Sequence, residues 1–91
     1  MFSYNIEINL KKKLKILAKK DKILANNFKK KVFEIINHNI DTITTYKNLK
    51  SPMNEFKRIH LTKNFILIFK VDLENKHIVF IEIAHIDKVY K

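Results

Sequence analysis

The stretch at residues 56–85, FKRIHLTKNFILIFKVDLENKHIVFIEIAH, decides the fold of this chain. It contains three runs rich in β-branched and aromatic residues, 56–62, 64–72 and 76–85, which is the composition of β-strands. A Thr-Lys pair separates the first two runs, and the turn-forming DLENK segment separates the last two. Because closely spaced strands usually pair with each other, the stretch predicts an antiparallel meander.

The preceding half predicts a strand followed by two amphipathic helices. Residues 2–8, FSYNIEI, alternate between apolar and polar side chains as a strand does. Asn9 is predicted to cap the first helix, and Asp21 marks the start of the second. Apolar residues recur at helical spacing in both: Leu10, Leu14, Leu17 and Ala18 in the first, and Leu24, Phe28, Val32, Ile35 and Ile36 in the second.

These elements together predict an α+β fold in the order βααβββ, with the two N-terminal helices packed on one face of a small, mainly antiparallel sheet. Residues 36–54 are predicted to form a connection, because they are largely polar and include Pro52. A further short strand is possible near residues 46–49. At 91 residues, the chain 1–91 is expected to be a single domain.

Charge is the dominant feature of the composition. Nineteen Lys and Arg residues oppose nine Asp and Glu residues, giving a formal net charge of +10. Such an excess favours a polyanionic partner, whether nucleic acid, an anionic membrane or an acidic protein. The chain has no cysteine, no apolar run long enough for a membrane span and no signal-peptide pattern at its start. It is therefore expected to be cytoplasmic.

Strand alternation assigns candidate polar residues to one face of the sheet. In the run 56–62, Ile59 and Leu61 share one face, so Arg58 and His60 occupy the other. His85 ends the last long strand and Tyr90 follows it. Whether these two reach the same surface as His60 depends on the strand register, which the pattern leaves open.

The segment YKNLKSPMNEFKRIHLTKNFILIFKVDLENKHIVFIEIAHIDKVYK, residues 46–91, resembles the C-terminal half of toxins of the RelE/ParE superfamily. The preceding strand and two helices match the order of elements in that family, so the resemblance covers the whole chain. The resemblance rests on the combination of a basic stretch at residues 46–50, the RIH tripeptide, the apolar LIFKV strand and a terminal histidine with a tyrosine shortly after it. Within the superfamily, the stretch RIHLTKNFILIFK is most similar to the RelE/YafQ-like branch of mRNA interferases.

This resemblance implies a cytoplasmic, metal-independent endoribonuclease that cuts messenger RNA on the ribosome and is inhibited by a cognate antitoxin protein. It implies no cofactor and no membrane partner. By the match, His60 and His85 correspond to the histidines of the branch, Val89 or Tyr90 to its C-terminal aromatic residue, and Arg58 to a phosphate-contacting residue. The resemblance also points to three RNA-binding lysines, Lys47, Lys50 and Lys57.

The chemistry of metal-free RNA cleavage is compatible with these side chains. The ribose 2′-hydroxyl must lose a proton, the leaving oxygen must gain one, and negative charge on the phosphate must be stabilised. Histidine can perform either proton transfer; we assign His60 as base and His85 as acid, although the reverse assignment is nearly as good. Arg58 and Lys63 could supply positive charge, and Tyr90 could stack on a base.

Two positions depart from the family pattern and keep other functions open. Lys63 or Asn64 stands where the branch has an acidic residue, and Ile86, Asp87 and Lys88 replace an arginine that many relatives carry. The alternatives are a ParE-like, non-enzymatic inhibitor of DNA gyrase, and an inactive relative that binds only its antitoxin or nucleic acid.

Overall fold

A computed structural model describes residues 1–89 of the chain and confirms the predicted α+β architecture. The two long helices and the four strands follow the predicted order, and two four-residue helices are added to it. In chain order the elements are β1 (Ser3–Ile6), α1 (Ile8–Lys20), α2 (Lys22–Ile36), α3 (Ile40–Ile43), β2 (Lys57–His60), β3 (Phe65–Asp72), β4 (His77–His85) and α4 (Ile86–Val89).

The strands form a mixed sheet in the order β1-β4-β3-β2. The three C-terminal strands pair antiparallel, as the meander prediction required, whereas β1 pairs parallel with β4. The helices α1 and α2 carry the chain from β1 to β2 at the opposite edge of the sheet, and the antiparallel meander then brings β4 back beside β1 in a parallel direction. β1 and β2 are the edge strands of the sheet, and the connection before β2 is hydrogen-bonded along the β2 edge.

Local capping explains where the two long helices begin. The second helix begins after Asp21, as predicted, and Asp21 is its cap, with Oδ1 accepting the backbone N–H of Leu24 at 3.0 Å. The prediction that Asn9 caps α1 is wrong. Glu7 is the cap, and its Oε2 accepts the N–H of Asn9 at 2.8 Å, so the helix begins two residues earlier and takes Ile8 from the predicted strand.

The main core lies between the sheet and the two long helices. Leu67 and Phe69 of β3 and Phe80 of β4 are fully buried there. The aromatic rings of Phe28 and Phe69 flank that of Phe80, with centroid separations of 6.1 Å and 6.0 Å. The helices contribute the apolar residues that recur at helical spacing: Leu10, Leu24, Phe28, Val32, Ile35 and Ile36.

A smaller apolar cluster covers the far face, meaning the face of the sheet turned away from α1 and α2. Leu49 from the connection is buried there against Ile66 and Ile68 of β3. Val89 of α4 packs on the same cluster. Where a short strand was possible near residues 46–49, the structure has an isolated bridge between Asn48 and Lys57. Part of the connection and α4 therefore shield the far face.

Candidate functional site

Three predicted site residues lie around one end of the sheet. His60 ends β2, Lys63 is exposed in the turn 61–64, and His85 ends β4. The turn is held by Phe65, whose carbonyl oxygen accepts the N–H of Leu61 at 2.9 Å. We call His60, the turn 61–64 and His85 the sheet end.

The two histidines of the sheet end belong to opposite faces. His60 is the cross-strand partner of Ile66, which is buried in the far-face cluster. His85 is the partner of Phe65, which packs against the main core. Since the side chains of neighbouring β3 residues point to opposite faces of the sheet, the side chains of His60 and His85 also project from opposite faces.

A β-bulge in β4 causes this separation. Phe69 pairs with Phe80 and Ile68 pairs with Glu82, so Ile81 is an extra residue that has no pairing partner in β3. Phe80 and Ile83 consequently both face the main core although they are three residues apart. Without the extra residue, His85 would lie on the far face with His60.

The His85 ring is held by local contacts at the start of α4. Its centroid lies 5.2 Å from that of Phe65, edge to face. Its Nδ1 accepts the backbone N–H of Asp87 at 3.2 Å and lies 3.6 Å from Asp87 Oδ2. Because Nδ1 acts as an acceptor, the neutral ring carries its proton on Nε2, the atom available for proton transfer.

His60 is exposed and shares a shallow groove with one side of α2. The groove is lined by the α2 residues Asn27, Lys30 and Lys31 beside His60. Asn27 also ties α2 to the sheet end, because its side-chain amide donates to the Leu61 carbonyl at 2.9 Å. The sequence gives no signal for this groove, since residues distant in sequence form no local pattern that reveals their proximity.

Arg58 lies on the far face, opposite Ile68, and is partly buried. Its backbone N–H donates to the Lys47 carbonyl at 3.0 Å, which ties the connection to β2. Arg58 and His60 therefore share a face, as strand alternation predicted.

The three predicted RNA-binding lysines differ in their surroundings. Lys47 and Lys50 are exposed in the connection. Lys57 is half-buried, and its Nζ donates to the Tyr46 carbonyl at 3.0 Å and to Asn48 Oδ1 at 2.9 Å. Burial lowers the pKa of Lys57. Tyr90, the predicted aromatic partner of the site, lies outside the described residues.

The other two histidines are engaged away from the sheet end. The Nε2 of His38 lies 2.7 Å from the hydroxyl of Tyr46, in a pair between the end of α2 and the connection. His77 bridges to β1, with Nδ1 2.7 Å from Ser3 Oγ and Nε2 2.7 Å from Asn5 Oδ1. These contacts fit a structural role in joining elements.

Positive charge is concentrated in the helical layer. Residues 8–36, which comprise α1, the cap residue Asp21 and α2, contain ten lysines and only two acidic residues, so this segment carries +8 of the net charge of +10. Such a surface attracts polyanions over distances of about 10 Å at ordinary salt. Lys30 and Lys31 line the groove beside His60, together with Glu34, whose Oε2 lies 3.3 Å from Lys31 Nζ.

Residues 1–89 contain neither a candidate metal site nor a candidate membrane-spanning helix. In that part of the chain, His, Asp and Glu side chains do not gather in groups of three that could hold a metal ion. None of the helices formed by those residues combines the length and the apolar composition that crossing a membrane requires.

Comparisons with known proteins identify relatives over nearly the whole chain. A protein of Methanocaldococcus jannaschii named "Putative toxin RelE4" is 42% identical over 90 residues, which cover 97% of this chain and 92% of that protein. An uncharacterised protein of Methanosarcina mazei is 38% identical over 94 residues, covering 99% of this chain and all of that one. No protein-family model matches the chain.

Two solved structures share the fold at low sequence identity. The YoeB-YefM complex from Staphylococcus aureus matches with a TM-score of 0.71 and 13% identity, over 93% of this chain and 97% of that chain. A metal-bound toxin from Helicobacter pylori matches with a TM-score of 0.68 and 19% identity, over 99% of this chain and 100% of that chain. At these identities the likeness concerns the fold alone.

Proposed function

Since the chain belongs to the family of RelE-like toxins, we propose that it is the toxin of a toxin-antitoxin pair and acts as a ribosome-dependent mRNA endoribonuclease. In this proposal it cleaves phosphodiester bonds without a metal, inhibits translation and works in the cytoplasm. The observation that supports it best is the grouping of His60, Lys63 and His85 around the turn 61–64 at one end of the sheet.

The sheet end offers the groups that RNA cleavage requires. His60, in its neutral form, is assigned as the base that takes the 2′-hydroxyl proton, and His85, in its imidazolium form with Asp87 beside Nδ1, as the acid whose Nε2 protonates the leaving oxygen. Lys63 and Arg58 supply positive charge for the phosphate, and Tyr90 stacks on a base. Because the histidines lie on opposite faces, the RNA strand crosses the end of the sheet with its scissile phosphate beside the turn.

The proposed path of the RNA continues over basic residues. The exposed side chains of Lys47 and Lys50 contact the backbone beyond the cleavage position. Lys57 contributes by holding the segment that carries them, because its ammonium group is hydrogen-bonded to Tyr46 and Asn48. The lysines of α1 and α2 attract the protein to ribosomal RNA without sequence preference.

The proposed partner in the cell is an antitoxin protein. The structural neighbour from Staphylococcus aureus is described as a complex of YoeB with YefM, and the high positive charge of this chain fits an acidic inhibitor.

The experiment that tests this function is primer-extension mapping of an mRNA on translating ribosomes. It compares the protein with the variants His60→Ala and His85→Ala, and includes a control without ribosomes. We expect cuts that require the ribosome and weaken by about 100-fold or more in each variant, as for the loss of a general acid or base. Undiminished cutting by both variants, or no cutting by folded protein, would refute the nuclease.

One observation favours a non-enzymatic toxin as the second candidate. The bulge in β4 separates the two histidines onto opposite faces, which is unfavourable for joint action on one phosphate. A ParE-like inhibitor of DNA gyrase needs no catalytic histidine. It would arrest growth through DNA damage, with full toxicity in His60→Ala and His85→Ala.

A further inference from the structure

The second half of β4 extends beyond the end of β1. Among the described residues, the pairing of these two strands ends at Ile6 and Phe80, and the Glu7 N–H donates to the Phe80 carbonyl at 2.9 Å. Residues 81–85, which begin at the bulge and end at His85, therefore lie past the last strand pair on this edge. Backbone N–H and C=O groups on such an edge need other partners.

Two side chains take the place of a neighbouring strand at Ile83. Its backbone N–H donates to Glu82 Oε1 at 2.9 Å, and its carbonyl oxygen accepts from Lys13 Nζ of α1 at 2.6 Å. Lys13 Nζ and Glu82 Oε1 are themselves 3.0 Å apart. We call Lys13 and Glu82 the edge pair. Three contacts around Ile83 thus join α1 to the unpaired half of β4.

The hydrogen bonds to the backbone matter more than the ion pair. The side chains of Lys13 and Glu82 are 44% and 45% exposed, and ion pairs in water contribute little to stability. The backbone of Ile83, in contrast, follows a bulge that interrupts the regular ladder with β3. The main structural effect of the edge pair is therefore to hold the backbone of this segment.

A fixed Ile83 also fixes His85. The two residues are two positions apart in β4 and pair with Leu67 and Phe65 of β3, so both face the main core side. The His85 ring packs edge to face on Phe65 from this position. In the proposed nuclease the Nε2 proton must reach the leaving oxygen, and a misplacement of about 1 Å can cost about 100-fold in rate.

We propose that Lys13 and Glu82 are positioning residues that hold His85 in place for RNA cleavage. The proposal rests on the proposed nuclease function. Both side chains act through the Ile83 backbone, and neither is assigned a contact with the phosphate. The role of Lys13 differs in this respect from the general attraction of polyanions by the other lysines of α1 and α2.

The first test measures the position of His85 by NMR and needs no activity. Lys13→Met and Glu82→Ala each remove one bond to the Ile83 backbone. We expect both variants to shift the ring-proton signals of His85, to weaken the nuclear Overhauser effects between the rings of His85 and Phe65, and to speed exchange of the Ile83 amide. Unchanged ring signals in both variants would overturn the proposal.

Two further variants control for charge and for the hydrogen bond. Lys12→Met removes the same charge from an exposed neighbour in α1, and we expect it to leave the His85 signals unchanged. Lys13→Arg retains a donor for the Ile83 carbonyl and should largely restore them. Equal shifts in Lys12→Met and Lys13→Met would assign the effect to charge and overturn the proposal.

The second test is single-turnover cleavage of mRNA on ribosomes. We expect Lys13→Met to lower the maximal rate about tenfold, with the protein concentration for half-maximal rate equal to that of Lys12→Met. Lys13→Met should cause no further loss when added to His85→Ala, but the full tenfold loss when added to His60→Ala. An equal loss in both backgrounds would indicate a merely structural role and refute the positioning of His85.

The two tests separate this proposal from the proposed function. If the unaltered protein does not cut mRNA on ribosomes, the nuclease and the positioning role fail together, and the NMR result still shows whether the edge pair holds His85. If the unaltered protein cuts but the losses do not depend on His85, only the positioning role fails.

Discussion

His60 and His85 lie at the same end of the sheet but on opposite faces of it, because they pair with the neighbouring residues Ile66 and Phe65 of β3. If both histidines act on one phosphate, the RNA must pass over the end of the sheet, because only there can side chains from both faces reach the same phosphate. This arrangement differs from a cleft, in which both side chains point into one cavity.

The placement of the histidines predicts independent contributions to cleavage. We expect the double variant His60→Ala/His85→Ala to lose about the product of the two single losses in rate, since the residues share no direct contact. Single-turnover cleavage assays on ribosomes measure the rates of the two single variants and the double variant. His77→Ala is the control, because His77 lies at the other end of β4. A double variant no worse than the poorer single variant would indicate one cooperative unit.

The cap of α2 predicts a local loss of stability. Asp21→Ala removes the acceptor for the Leu24 N–H and should lower the free energy of unfolding by about 1 kcal/mol. Urea denaturation measures the change. Asp21→Asn retains a side-chain oxygen at the cap and should leave the free energy of unfolding almost unchanged. An equal loss in both variants would show that the negative charge matters more than the hydrogen bond.

The partial burial of Tyr46 predicts alkaline sensitivity. Burial, and secondly the negative charge of Glu34, raise the pKa of Tyr46 above its ordinary value of 10.0. Because the folded state favours the protonated hydroxyl of Tyr46, this group contributes to the free energy of unfolding. The contribution is complete below pH 10.0 and is lost as the pH rises through the folded-state pKa of Tyr46. Tyr46→Phe should remove this alkaline loss and, by deleting the hydrogen bond, cost about 1 kcal/mol at neutral pH.

Denaturation series at increasing pH test this prediction, with phenolate absorbance as the second readout. Tyr4→Phe is the control, because its hydroxyl belongs to a different, largely exposed ring. If Tyr46→Phe retains the same alkaline loss as the unaltered protein, the ionisation responsible lies elsewhere.

The turn between β3 and β4 predicts a carboxyl group with a low pKa. The side-chain amide of Asn75 donates to Asp72 Oδ2 at 2.8 Å and its backbone N–H donates to Oδ1 at 3.1 Å. These hydrogen bonds, the side-chain one foremost, lower the pKa of Asp72 below 3.8. The ionised carboxylate of Asp72 therefore stabilises the folded protein above pH 3.8, its ordinary pKa, and this stabilisation is lost as the pH falls through the folded-state pKa of Asp72.

Asn75→Ala should raise the pKa of Asp72 back towards 3.8, as followed by NMR of the side-chain carboxyl carbon. Glu74→Ala is the matched control, because it leaves both Asn75 contacts in place. An unchanged Asp72 titration in Asn75→Ala would assign the shift to other neighbours.

The elements that sequence predicted best are the long ones. The periodic apolar residues of α1 and α2 define a face over several turns, and the runs of β3 and β4 are long enough to exclude other assignments. The helices α3 and α4 were missed because four residues give hardly one turn of periodicity. The start of α1 was misplaced because Glu7 and Asn9 are both polar residues able to cap.

The candidate site was predicted in part. Alternation in β2 correctly put Arg58 and His60 on one face, because Ile59 and Leu61 are the apolar positions of that strand. The groove that His60 shares with Asn27 of α2 depends on how the helix packs across the sheet, which local patterns do not report. The catalytic and RNA-binding roles of these residues remain predictions.

The sequence by itself determined the order of the elements and most of the core, since helical and strand periodicities are local properties of the chain. Only the tertiary structure decided the face on which His85 lies. Residues 78–81 of β4 are all apolar, so alternation defines no inward face there, and the bulge at Ile81 is fixed by pairing with β3 and by the burial of Phe80 and Ile83. Register is a property of two strands together, and no single strand encodes it.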